Sequence, residues 1–140
     1  MQLKIKMKAG CEDLFPKKAH ENDACFDIYA SECVEIAPNE QKLIGTGVHM
    51  DIPAGYEVVF RGRSGNCAKR ELWNHYGTID AGYVDECKVI MRNQSKESYT
   101  VNRGDRIAQF KVQEVLPTEL VLVDEFDTES RGGGFGSSGK

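Results

Sequence analysis

A chain of 140 residues has the size of a single domain. Its formal net charge of -4, with basic residues scattered along the chain, excludes the surface a nucleic-acid polymer requires, because that binding is dominated by phosphate neutralisation. The five cysteines (Cys11, Cys25, Cys33, Cys67, Cys87) show no Cys-x-x-Cys spacing and the three histidines do not cluster, which argues for buried reduced thiols over a zinc site or a disulfide framework.

The first element has a period of two. Leu3, Ile5 and Met7 alternate with Lys4, Lys6 and Lys8, the pattern of a half-buried strand and unlike a signal peptide. No apolar run approaches membrane length, so a cytoplasmic chain without membrane contact is expected. Short strand signals follow at Lys42–His49 and Tyr56–Phe60. One helix of at most two turns is predicted over Asn66–Leu72, with Asn66 as its cap. Strand signals resume at Lys88–Arg92, Ile107–Val115 and Glu119–Val123. Pro38-Asn39, Pro53-Ala54-Gly55, Asn102-Arg103-Gly104 and Pro117 punctuate them. Many short strands with regular turns predict an all-β barrel or sandwich. The stretch from Ser130 to Lys140 holds five of the fourteen glycines. Its composition is that of a flexible terminus, but it also carries Arg131 and Phe135, which suit wrapping of a charged, ring-bearing ligand.

Candidate chemistry concentrates in Gly77-Thr-Ile-Asp-Ala-Gly-Tyr-Val-Asp-Glu86. Asp80 follows the apolar Ile79, precedes the Ala81-Gly82 turn, and stands three residues before Tyr83, so a carboxylate and a phenol share one strand–turn boundary. Arg63-Ser64-Gly65 offers a guanidinium, a hydroxyl and an amide approachable without a Cβ, a combination that suits phosphate oxygens.

These segments stand in one order with Ala24-Cys25-Phe26-Asp27, Arg103-Gly104-Asp105-Arg106-Ile107-Ala108-Gln109 and Arg131-Gly-Gly-Gly-Phe135-Gly136-Ser137-Ser138-Gly139. In that order they resemble the five motifs of the trimeric dUTP diphosphatase (dUTPase) family over nearly the whole chain. The resemblance implies a jelly-roll-like distorted β-barrel over residues 1–129, a flexible C-terminal arm over residues 130–140, and a homotrimer with active sites at subunit interfaces. It implies hydrolysis of dUTP to dUMP and pyrophosphate in a bacterial or phage-infected cell, with Mg2+ held by substrate phosphates and touched by Asp27 only through water. Asp80 then orients and deprotonates the attacking water at the α-phosphorus. Arg63, Ser64, Gly65 and Gln109 serve the phosphates, and Asp105 orders the loop around Arg63. Asn74, Thr78, Ile79 and Lys88 line the uracil pocket, and Tyr83 packs under the deoxyribose. Arg131, Phe135, Gly136, Ser137 and Ser138 close over the substrate.

The chain departs from the pattern at Cys25 and Asp85, where the family has glycine. The Ser64-to-Asn74 spacing and the Arg131-to-Phe135 arm are also shorter than usual. Two rival readings remain. A dCTP deaminase, or a bifunctional deaminase/dUTPase, would need Glu86 to drive attack on a cytosine ring. A regulatory dUTP-binding protein, such as a phage-type dUTPase that sequesters a repressor, would bind without turnover.

Overall fold

The computed structural model of the chain describes residues 1–133. Ten strands account for most of the regular structure: β1 (Lys4–Met7), β2 (Phe26–Tyr29), β3 (Val34–Ile36), β4 (Gln41–Asp51), β5 (Tyr56–Arg61), β6 (Leu72–Asn74), β7 (Thr78–Ile79), β8 (Cys87–Asn93), β9 (Tyr99–Val101) and β10 (Arg106–Glu114). A single helix, α1 (Ser64–Arg70), and one 3-10 turn (Glu12–Leu14) complete it. One sheet runs β1-β4-β8-β6, a second β2-β10-β5-β7, and β3 pairs with β9 as a short ribbon. Every pairing is antiparallel. Ile44, Val48, Met50 and Met91 of the first sheet meet Ile28, Val58, Ile107 and Phe110 of the second in one continuous core. This is the expected all-β, jelly-roll-like barrel.

The alternation in β1 and β8 behaves as its period demands. Lys4 and Lys6 are exposed while Ile5 and Met7 are half-buried, and β8 alternates strictly, with Cys87, Val89, Met91 and Asn93 inward. The long β4 carries a register shift between Gly45 and Val48. There the Gly45 N–H donates to Glu32 Oε1 at 2.8 Å and the Gly47 N–H to Glu86 Oε1 at 2.9 Å. Gly47 has φ +70, and a Cβ on it would lie 2.7 Å from the Cys11 Cβ, so the bulge requires glycine there.

Two expectations are corrected. The helix begins at Ser64 and ends at Arg70, with Arg63 rather than Asn66 in the capping position and no side-chain cap bond. Asn66 lies inside the first turn, 3% exposed, where Nδ2 donates to the Arg106 carbonyl at 3.2 Å and Oδ1 accepts from Arg70 at 3.0 Å. Glu71, at φ 53, turns the chain out of the helix so that Leu72 can enter the core as the first residue of β6. The predicted strand Glu119–Val123 does not form, and Leu120 and Leu122 stand 93% and 98% exposed. Its apolar, β-branched run suits a strand, but a strand exists only through a hydrogen-bonding neighbour, and no other segment of the described chain runs beside it. The last strand ends at Glu114, and residues 115–133 carry neither helix nor strand. Among the described residues no helix is long and apolar enough to cross a membrane.

Candidate active site

Asp27 is the pivot of the site. Its backbone sits in β2 opposite Gln109 of β10, which turns its carboxylate inward, and the residue is 8% exposed. A buried carboxylate needs compensation, and two guanidiniums supply it. Arg63 Nε donates to Oδ1 at 3.0 Å, and Arg106 donates to Oδ2 at 3.4 Å. Arg63 is thereby fixed just before α1, whose first amides, on Ser64 and Gly65, have no intrahelical partner. A Cβ on Gly65 would meet nothing within 4 Å, so the glycine leaves open space for a ligand rather than relieving a clash.

Gln109 pairs with Asp27 on one side and with Arg61 of β5 on the other. Its Nε2 donates to the Gly62 carbonyl at 2.9 Å, tying β10 to the Arg63 turn. Arg63, Ser64, Asn74, Tyr76 and Gln109 line one cavity of about 340 Å³. Asp23, Cys25, Asp27, Arg63 and Gln109 line an adjoining one of about 260 Å³. In the first, both polar atoms of the Asn74 amide are buried and without a hydrogen-bond partner. A buried amide costs stability unless satisfied, so this one is a donor and acceptor pair held ready. Its chemistry suits the edge of a base.

The other expected residues lie elsewhere. Thr78 and Asp80 are exposed, Ile79 is half-buried against the core, and Lys88 projects from the outer face of β8. The Tyr83 N–H donates to the Asp80 carbonyl at 3.2 Å and Gly82 takes φ +92, which closes the turn. Tyr83, 44% exposed, donates its hydroxyl to the Glu86 carbonyl at 3.3 Å. None of Thr78, Asp80, Tyr83 and Lys88 lines the Arg63 cavities. In a single chain the Asp80–Tyr83 turn therefore stands apart from the Arg63 hollow. Arg131 is exposed, and Phe135, Gly136, Ser137 and Ser138 lie outside the described residues.

Two further roles differ from expectation. Asp105 does not order Arg63; its Oδ2 accepts the Asn102 N–H at 2.8 Å and closes its own turn. That work at Arg63 falls to Asp27, whose second oxygen is bound by Arg106, a residue the sequence reading left without a role. The signal was available, because a carboxylate buried in β2 requires cations and only the arginine-bearing motifs could supply them. Glu86, the carboxylate a cytosine-directed reaction would need, is engaged with the Gly47 N–H at the β4 bulge. Of the thiols, Cys11 and Cys87 are buried, Cys25 and Cys67 half-buried, and Cys33 exposed, so burial is not general. Burial, and after it the Glu86 charge, pushes the Cys87 thiol up from its ordinary 9.0 to about 11. No group of three or more His, Cys, Asp or Glu side chains that could hold a metal occurs among the described residues.

Comparison with known proteins identifies the family. The dUTPase family model matches residues 13–139. The deoxyuridine 5'-triphosphate nucleotidohydrolase of Nautilia profundicola is 44% identical over 143 aligned positions, covering 100% of both chains. A mutant dUTPase of Staphylococcus bacteriophage 80alpha, solved with dUpNHpp, superimposes with a TM-score of 0.91 at 29% identity and 99% coverage of both chains. A mutant dUTPase of phage phi11 of S. aureus, described as coordinating a structural Mg(II) ion, gives 0.85 at 27% identity, over 91% of this chain and 100% of that one. The chain belongs to the dUTPase family.

Proposed function

We propose that the protein hydrolyses dUTP to dUMP and pyrophosphate in the cytoplasm, as a homotrimer whose sites are shared between subunits. The observation that carries this reading is the unsatisfied Asn74 amide in the same cavity as Arg63, Ser64 and Gln109. An amide with the chemistry to read a base thus shares one hollow with a turn whose chemistry suits phosphate, in a chain that aligns end to end with a dUTP nucleotidohydrolase. The separation of that hollow from the Asp80 turn supports sharing, since Asp80 and Tyr83 on their exposed turn can meet a phosphate bound at Arg63 of another subunit. The exposed Leu120 and Leu122 support it too, because apolar side chains so open to water invite a partner.

In this mechanism Arg63 and the Ser64 and Gly65 amides hold the phosphates, with Gln109 steadying the Arg63 turn through Gly62. Asp80 orients a water in line with the α-phosphorus and accepts its proton. The Tyr83 ring packs beneath the sugar, where a 2′-hydroxyl would clash. Thr78, Ile79 and Lys88 border the uracil. Arg131 and Phe135, with Gly136 and Ser137, close over the substrate. The donor set fits magnesium only as a passenger on the phosphates, because Asp27 is already committed to two guanidiniums and can add a water-mediated contact at most. Magnesium there would neutralise phosphate charge.

Pyrophosphate release from dUTP, dCTP, dTTP and UTP with magnesium tests the reading. Rapid turnover of dUTP alone is expected. Equal turnover of dUTP and dTTP contradicts it, since a hairpin-lined uracil pocket excludes the 5-methyl group.

A further inference from the structure

Behind Arg63 lies a cavity of about 300 Å³ that the proposed reaction does not use. Arg63, Arg70 and Arg106 all line it, and it shares only Arg63 and Leu72 with the Ser64–Asn74 hollow. Three guanidiniums around one small space demand an explanation, because like charges repel unless something neutralises them. Two carboxylates stand against the three cations. Asp27 is divided between Arg63 and Arg106, and Asp105, the one acid lining the cavity, accepts the Asn102 N–H.

Arg70 has no carboxylate partner among the described residues. It is held in place by neutral groups instead. One of its N–H groups donates to Asn66 Oδ1 at 3.0 Å, and its guanidinium lies 5.7 Å from the centre of the Tyr99 ring. Asn66, 3% exposed, is in turn pinned to the Arg106 carbonyl at 3.2 Å. The cation is therefore oriented without being neutralised, and most of its N–H groups remain to be used. Tyr29 and Tyr99 add phenols to the same wall.

We propose that this cavity is a second oxyanion site, taking inorganic phosphate or pyrophosphate independently of the nucleotide hollow. Guanidinium forks match tetrahedral phosphate oxygens with paired, charge-assisted hydrogen bonds. The space equals that of about ten waters, enough for either anion with part of its hydration. Free phosphate and the pyrophosphate released by hydrolysis share this chemistry.

Titration calorimetry at low ionic strength, with sodium phosphate and separately with sodium pyrophosphate, decides the matter on the full chain. Each anion is titrated with and without saturating dUpNHpp. One further anion per chain is expected to bind with dUpNHpp present. Arg70→Gln is expected to weaken that binding by about tenfold, the loss of one charge-assisted bond, while Arg70→Lys, which keeps the charge but not the fork, weakens it less. Tighter binding of pyrophosphate would support the site as one for the product, and tighter binding of phosphate would support it as one for the free ion. Displacement of the anion by dUpNHpp, measured on the parental protein alone, overturns the proposal, as does parental affinity in a folded Arg70→Gln. Because the readout is anion binding, it fails or succeeds apart from dUTP turnover.

Discussion

The Arg63 cluster and the Asp80 turn, the two regions on which the proposed reaction draws, are built by opposite means. Around Arg63 the geometry comes from far-apart segments: Asp27 on β2, Gln109 and Arg106 on β10, and the helix start are locked together by buried or half-buried bonds. Asp80 and Tyr83 stand on an exposed turn closed by local bonds, from Tyr83 back to Asp80 and forward to Glu86. The first region is organised by the chain itself. The second is merely presented.

This contrast is sharpest in its expected kinetic consequence. Asp80→Asn should lower dUTP turnover by about 10²–10⁴-fold, because an amide holds a water but cannot accept its proton. Melting temperature and dUpNHpp affinity should stay near parental, since Asp80 is exposed and bears no side-chain bond of its own. Near-parental turnover would show that the turn presents nothing catalytic.

A chain ended at Glu129 probes the contribution of a third region. Turnover should fall by roughly 10²–10³-fold through loss of charge-stabilising donors, without loss of folding. The described strands end at Glu114, and residues 130–133, the described part of what is removed, belong to neither sheet. Full activity in the shortened protein would leave the first two regions sufficient by themselves.

The next effect is on stability and reverses the first. Asp27→Ala leaves Arg63 and Arg106 facing each other without their shared carboxylate, and unfolding should be easier by about 1.5–3 kcal/mol. Denaturant melts compare it with Asp80→Asn. Equal stability of the two variants would erase the distinction between an organised region and a presented one.

The last effect appears only in alkali. The Cys87 thiol is held protonated to about 11 in the folded chain against an ordinary 9.0. Its contribution is present in full below pH 9 and is lost as pH rises through the folded value, up to roughly 2–3 kcal/mol. A Cys87→Ala variant should therefore show a shallower fall in melting temperature between these pH values. An identical fall in both proteins would assign the alkaline loss to other groups.

Much of the fold was legible because strands advertise themselves locally. The lysine–apolar alternation of β1 and the run from Lys88 to Arg92 were placed within a residue or two. The very short β7 and the ribbon β3–β9 were not, since two or three residues carry too little period to be seen. Glu119–Val123 failed for the opposite reason: its pattern is strong, but pairing is a property of neighbours. Asn66 read as a cap because asparagine favours that position; in the tertiary structure it is drawn one turn inward to serve Arg106 and Arg70.

By itself the sequence determined the all-β class, the five-motif order and the residue types on which the proposed reaction draws, because these depend on residue type and spacing along the chain. Only the tertiary structure decided that Arg106 joins Arg63 on Asp27, that Asp105 serves its own turn, that the Asn74 amide is buried unsatisfied, and that Asp80 and Tyr83 stand apart from the Arg63 hollow. Those are consequences of strand register and burial. A carboxylate 36 residues from its guanidinium finds it only when the sheet sets them side by side and water is excluded between them.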